Sequence, residues 1–269
     1  VRVTVTADDF GLTESVNEAV ERAHRAGILT AASLMVNGAA AADAVRRART
    51  MPGLRVGLHL VVVEGQATLP PAQIPDLVDK TGWFGADQVR RGFAYYFRPA
   101  LRRQLAAEIE AQFRAFAATG LPLGHADAHK HMHLHPVVGR VMIEAGKRHG
   151  LTRIRVPAEP PSVLRACGER PGLGARALYL WTALLRRQAR RAGLETDDHV
   201  FGLAWSGHVT ADRLRRLLAA LPAGSSEIYT HPAAWRDPVL VRLMPDYDPV
   251  AEFEALLAIA QDTRQVEPK

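Results

Sequence analysis

Apolar residues recur along the chain in two alternating rhythms. Short, almost continuously apolar runs are each followed by a stretch in which apolar residues return every three or four positions. The runs predict strands at about Val1–Ala7, Leu29–Val36, Leu54–Val63, Leu123–Ala128, Thr152–Val156, Val200–Trp205 and Glu227–Tyr229. The periodic stretches predict a first helix, a short Ala-rich helix after Gly38, and helices at about Pro99–Ala118, Pro136–His149, Ala175–Ala192, Thr210–Leu221 and Val250–Gln261. In the first helix Val16, Ala19, Val20 and Ala23 make the apolar face, and Gly27 suits its end. Ser15 with Glu18 three residues on reads as a capping box, in which both side chains satisfy free backbone donors. Leu101, Leu105, Ile109, Phe113 and Phe116 repeat along the longest helix.

Strands that are apolar throughout, each followed by a helix, imply a parallel sheet buried on both faces. Seven such units favour an α/β fold of the distorted (β/α) barrel type over an open doubly wound sheet. A barrel of this kind accommodates all 269 residues in one domain, and no linker or repeat divides the chain, so 1–269 reads as a single barrel domain. The segment at about 64–98 breaks the rhythm. It holds several Pro and Gly residues and six of the seventeen aromatics: Trp83, Phe84, Phe93, Tyr95, Tyr96 and Phe97. An insertion this long serves as a lid or binding loop, or covers a small satellite core.

Charge adds a second layer. The formal net charge is +6 and the isoelectric point near 9.9, which points to an acidic partner. Arg176, Arg186, Arg187, Arg190 and Arg191 flank Leu178, Trp181 and Leu185 at helical spacing. That pattern suits a helix lying on a lipid surface, or an outer barrel helix with a solvated basic face. No nucleic-acid motif is present, which argues against a nucleic-acid partner. No apolar run is long enough to span a bilayer, and no signal peptide is visible ahead of the first strand. A single cysteine, Cys167, fits a reducing cytoplasm and reads as an inert thiol. The expected location is therefore cytoplasmic, with contact at the inner membrane face.

Five signals carry chemistry. Asp8-Asp9 lies at the exit of the first strand, where two adjacent carboxylates repel unless something positive sits beside them; the plainer reading is a turn cap. His59 is one polar residue in an apolar strand. From His125 to His135 every second residue is His or Asp, so an extended chain would place all of them on one side. A metal site with an open position takes about three of them. His231 follows the last strand and is stiffened by Pro232, while Arg155 ends the fifth strand with Arg153 as a rival. Asp8, Asp9, His59, His129, Arg155 and His231 all fall at C-terminal strand ends, the face that carries active sites in such barrels.

These residues resemble the YdjC-type carbohydrate deacetylase family. The likeness rests on ADDFG at Ala7–Gly11, GLH at Gly57–His59, DAHKHMH at Asp127–His133, THP at Thr230–Pro232 and LTAASLMVNG at Leu29–Gly38. The resemblance implies hydrolysis of an acetamido group on a sugar with one divalent metal ion. It implies Asp9, His59 and His129 as metal ligands, Asp8 as general base and His231 as the acid that protonates the leaving amine. Arg155 would fix the base, and Asp127, His131 and His133 would orient ligands or touch substrate. Two imidazoles and a carboxylate suit Zn²⁺ better than Mg²⁺, without settling the ion. The RVPAEPP stretch and the basic helix resemble the hopanoid-biosynthesis branch (HpnK-like), which implies an N-acetylglucosaminyl hopanoid as substrate. A metal-dependent phosphoesterase and a non-enzymatic metal- or lipid-binding protein remain the alternatives; a glycosidase would need two flanking carboxylates.

Overall fold

The first strand, β1 (Arg2–Phe10), is exposed at Arg2 and buried from Thr4 onward, as a run of β-branched residues at a sheet centre should be. The computed structural model describes residues 2–266. After β1 come α1 (Glu14–Ala26), β2 (Ala31–Leu34), α2 (Ala41–Ala48), β3 (Arg55–Leu60), α3 (Gln88–Phe97), α4 (Pro99–Ala118) and β4 (Ala126–Ala128). The chain continues through α5 (Pro136–Arg148), α6 (Pro161–Ala166), α7 (Leu173–Arg191), β5 (His199–Phe201), α8 (Ala211–Ala220), β6 (Ser225–Thr230), α9 (Pro238–Leu243) and α10 (Pro249–Val266). Six parallel strands form one sheet in the order β4-β3-β2-β1-β6-β5. The class is the α/β one expected, with six strands rather than seven among the described residues.

The missing strand is the segment 152–156, which makes only isolated bridges. On one side Ala126 N donates to Arg153 O (3.1 Å) and Arg155 N to Ala126 O (3.0 Å). On the other, Ile154 N donates to Glu195 O (3.0 Å) and Glu195 N to Thr152 O (2.8 Å). Pro157, Pro160 and Pro161 follow at once and carry no amide hydrogen, so a ladder cannot extend here. The segment is thus an irregular seam between the two sheet edges, and the barrel is incomplete.

Two further expectations are corrected. The cap of α1 is Thr13, whose hydroxyl accepts from Val16 N (3.3 Å); Ser15 instead bonds the backbone of Trp235, and Glu18 pairs with Arg47 (2.8 Å). The His125–His135 tract is not one extended face. It is strand only over Ala126–Ala128, then a 3-10 turn over His129–Leu134 in which Lys130 and His131 have φ of 51° and 53°.

The apolar stripe predicted for α4 is buried in full, and two polar residues share it. Glu108 accepts from Thr68 N (2.8 Å) and Leu69 N (2.9 Å), while Gln112 grips both the N–H and the carbonyl of Val61. These bonds pin the loop after β3, whose residues Glu64–Gln66 reach the main cavity. The six aromatics of the 64–98 segment divide three ways: Phe84 and Tyr95 are buried, Trp83 lines the cavity, and Phe93, Tyr96 and Phe97 are exposed. The stripe predicted on α7 also divides, with Leu185 buried and Trp181 half exposed. Burial pushes the Cys167 thiol pKa up, as suits an unreactive core thiol. Among the described residues no helix is long and apolar enough to cross a membrane.

Candidate metal centre and active site

In a regular strand Asp8 and Asp9 would point to opposite faces. Here Asp9 has φ of 59°, and the pairing of β1 with β2 shifts register between Ala7 and Phe10. Aspartate tolerates this left-handed backbone better than most residues, and strained positions of this kind gather at functional sites. The irregularity turns both carboxylates into one cavity of about 750 Å³, which His59, His129, His131 and His231 also line.

The predicted residues divide between that cavity and a buried layer beneath it. Asp8 is held by Arg155 through two hydrogen bonds, from Nη1 (2.7 Å) and Nη2 (2.8 Å). The same guanidinium meets Asp127 (2.7 Å) and Glu227 (2.8 Å) and lies 4.9 Å from the Tyr229 ring centre. Asp127 also accepts from Ser33 (2.7 Å) and binds His59 Nδ1 (2.7 Å). His133 bonds the carbonyl of Arg155 (3.0 Å), and His131 bonds the Tyr229 hydroxyl (2.8 Å). Arg153 turns away to Glu195 and Asp197, and of the two arginines it is Arg155 that meets Asp8. His125 meets Ser33, and His135 packs against Tyr95 and Tyr96 rather than entering the cavity.

Charge in this layer is unbalanced. Asp8, Asp9, Asp127 and Glu227 are all buried and close to one another through Arg155 and His59, the cations that meet them. Arg155 neutralises at most one of the four negative charges. Burial works to raise the Asp9 pKa, yet His129 and then His59 outweigh it and hold Asp9 well below the usual carboxylate range. Burial likewise favours a neutral His59, but Asp127 dominates and pushes the ring up to about 10. A protonated His59 therefore supplies part of the positive charge the cluster demands.

A divalent cation would supply it better, and the donors fit one. Both Asp9 carboxylate oxygens are buried without a hydrogen-bond partner. Asp9 Oδ1 lies 3.1 Å from His129 Nδ1 and 3.3 Å from His59 Nε2, and ligand atoms of the three residues all fall within 4.8 Å of one another. A second grouping, Asp8, His59 and Asp127, is equally close, but its carboxylates are already satisfied by Arg155, Ser33 and His59 Nδ1. Asp9, His59 and His129 are thus the set that could hold an ion, with Asp127 fixing the tautomer of His59.

His231 follows β6, the strand paired with β1, and lines the same cavity. Its backbone N–H donates to Glu252, and its Nδ1 is 4.0 Å from the same carboxylate. The Tyr247 ring stands 5.2 Å from the imidazole. Sequence reading missed Ser33, Glu227, Tyr229, Tyr247 and Glu252. Glu227 had a visible signal, since it is the one charge in an otherwise uncharged strand, SSEIYT. Glu252 gave none, being an ordinary acid in a helix.

The buried histidines have a consequence for acid stability. Burial pushes His133 down to about 4 against the pull of Asp127, whereas its ordinary value is 6.5. Between those values the unfolded chain holds a proton that the folded chain does not, so stability is full above about pH 6.5 and is lost as pH falls toward 4. His133→Gln, whose amide can still donate to the Arg155 carbonyl, should lessen the pH dependence of the urea midpoint across that window, with buried His125 and His131 keeping the remainder; an unchanged slope would place the proton uptake elsewhere.

A curated carbohydrate deacetylase from Thermoanaerobacter pseudethanolicus is 28% identical over 261 residues, covering 97% of this chain and 92% of the relative. Carbohydrate deacetylases from Geobacillus stearothermophilus and Mus musculus are 33% and 34% identical, over 85% and 86% of this chain and 78% of each relative. A solved structure of a proposed cellobiose-phosphate cleavage protein from Enterococcus faecalis superposes with a TM-score of 0.73 at 21% identity, covering 100% of this chain and 96% of that one. At that identity the likeness speaks for the fold alone. The family model described as YdjC-like protein matches residues 2–265, and the chain belongs to the YdjC-like protein family.

Proposed function

We propose that this protein is a divalent-metal-dependent hydrolase that removes the N-acetyl group from an acetylated amino sugar. The observation that carries the reading is the pair of unpartnered Asp9 oxygens facing two imidazoles, beside a second aspartate clamped by a guanidinium. When bound by Asp9, His59 and His129, the ion would polarise the amide carbonyl and lower the pKa of water. Two nitrogen donors and one oxygen favour Zn²⁺ or a similar transition ion over Mg²⁺.

Asp8 accepts the proton of the attacking water. Its two bonds from Arg155 fix the carboxylate plane, and each oxygen keeps a further lone pair for that proton. His231 delivers a proton to the departing amine, with Glu252 beside it to stabilise the imidazolium. Each such acid–base contribution is worth roughly 10²–10⁴ in rate. Trp83 and Tyr247, on the cavity wall, offer flat apolar faces to a sugar ring. The finer reading is a glycolipid, an N-acetylglucosaminyl hopanoid, supported by the apolar lining of Leu12, Met35, Val61, Leu243 and Met244.

A phosphoesterase is less well served. Arg155 is fully engaged by three carboxylates, so the buried layer offers a phosphate mainly repulsion. Metal-loaded protein should release acetate from N-acetylglucosamine conjugates, with and without a lipid tail, and no phosphate from sugar phosphates. Phosphate release, or no acetate from any conjugate at full metal occupancy, would contradict the assignment.

A further inference from the structure

An outer barrel helix usually shows solvent a polar face. α7 does not. Its buried side is Thr182, Leu185 and Ala189, while Leu173, Leu180 and Trp181 are 83%, 73% and 50% exposed. On α3, Phe93 and Phe97 are 64% and 73% exposed, with Tyr96 beside them. Single exposed apolar residues need no explanation, but a cluster of large ones marks an interaction site.

The two helices meet at one turn. Trp181 Nε1 donates to Leu134 O (3.0 Å), and the rings of Tyr95 and Tyr96 stand edge-on to His135, the next residue. Their exposed apolar side chains therefore flank a single short stretch of chain. That stretch continues directly from the 3-10 turn that begins with His129, a residue of the metal set.

Charge tells what covers this face. From Arg170 to Leu194 the sequence holds six arginines and no acid, and from Gln88 to Ala107 five arginines and no acid. Of the 34 basic residues eleven lie in these two segments, whereas all 28 acidic residues lie outside them, which leaves the rest of the chain net acidic. A second copy of the same face would bring like charges together. Large aromatic and leucine side chains with arginines close to them in sequence match the interface of an anionic bilayer, where apolar groups enter the acyl boundary and guanidinium groups meet phosphate.

We infer that α3 and α7 together form a docking face for an anionic lipid surface, placed one turn from the metal-binding end of the sheet. The inference does not depend on the reaction proposed above. Full-length protein should co-sediment with phosphatidylcholine vesicles that contain phosphatidylglycerol, and far less with phosphatidylcholine alone. Added salt should weaken the binding. Leu180→Glu and Phe97→Glu, each at an exposed position, should lower the partition coefficient about tenfold with the thermal midpoint unchanged. Arg187→Glu with Arg191→Glu should lower it and reduce its salt dependence. Failure of the wild type to bind phosphatidylglycerol vesicles, or equal binding by all variants, would overturn the inference. So would a dimer that Leu180→Glu dissociates without any vesicle binding, since that would make the face an interface between copies.

Discussion

Asp8→Asn should lower turnover by at least about 10²–10⁴-fold while the protein still binds one divalent ion per chain. The substitution keeps the shape of the side chain and removes its charge and basicity. It also places an amide N–H against one of the two Arg155 N–H groups that now reach Asp8. One charge-assisted hydrogen bond is lost, at a cost of about 1.5–3 kcal/mol, so the variant should remain folded at moderate temperature. Acetate release measured beside metal content separates loss of the base from loss of the ion. An Asp8→Asn protein with wild-type turnover would remove Asp8 from the reaction.

The second large effect concerns stability. Arg155 is fully buried and contacts Asp8, Asp127 and Glu227 together. Arg155→Met fills similar space yet leaves Asp8 and Glu227 without the guanidinium and Asp127 with His59 in its place, and removing one partner of a buried ion pair costs about 3–5 kcal/mol. For a chain of this size that is a fall of roughly 10 °C in the thermal midpoint. The sign of the pH dependence follows. Burial, the largest single influence, would raise the pKa of Asp127 and Glu227, but Arg155, joined by His59 at Asp127, outweighs it and holds both below the ordinary carboxylate range. Their contribution to wild-type stability is present above the unfolded pKa and is lost in acid. Without the guanidinium, burial prevails and protonation relieves the variant, so its deficit should shrink as pH falls. A deficit independent of pH, or none at all, would mean that the cluster is not held together by Arg155.

How much of this was legible in the sequence depended on how local the cause was. The long stripe of α4 could be read directly, because five large apolar residues at helical spacing have one way to be buried. Asp8, Asp9, His59, His129 and His231 could be selected because each is a polar residue where an apolar strand ends. The seam at 152–156 alternates as a strand does, but the prolines that follow decide its backbone. The His tract departs from its pattern for a related reason. Alternation assumes an extended chain, and two successive left-handed residues, Lys130 and His131, end it just after His129. Ser33, Glu227 and Glu252 act only through partners remote in sequence, such as Asp127, Arg155 and His231, and no local pattern reports that.

The central claim is that Asp9, His59 and His129 hold one cation between them. Metal content after saturation with Zn²⁺ and removal of unbound ion addresses it most directly, by elemental analysis of the wild type and of three single variants. One ion per chain is expected in the wild type, and little or none in Asp9→Ala, His59→Ala and His129→Ala proteins that keep their folded circular dichroism. A full equivalent retained by all three folded variants would place the ion elsewhere.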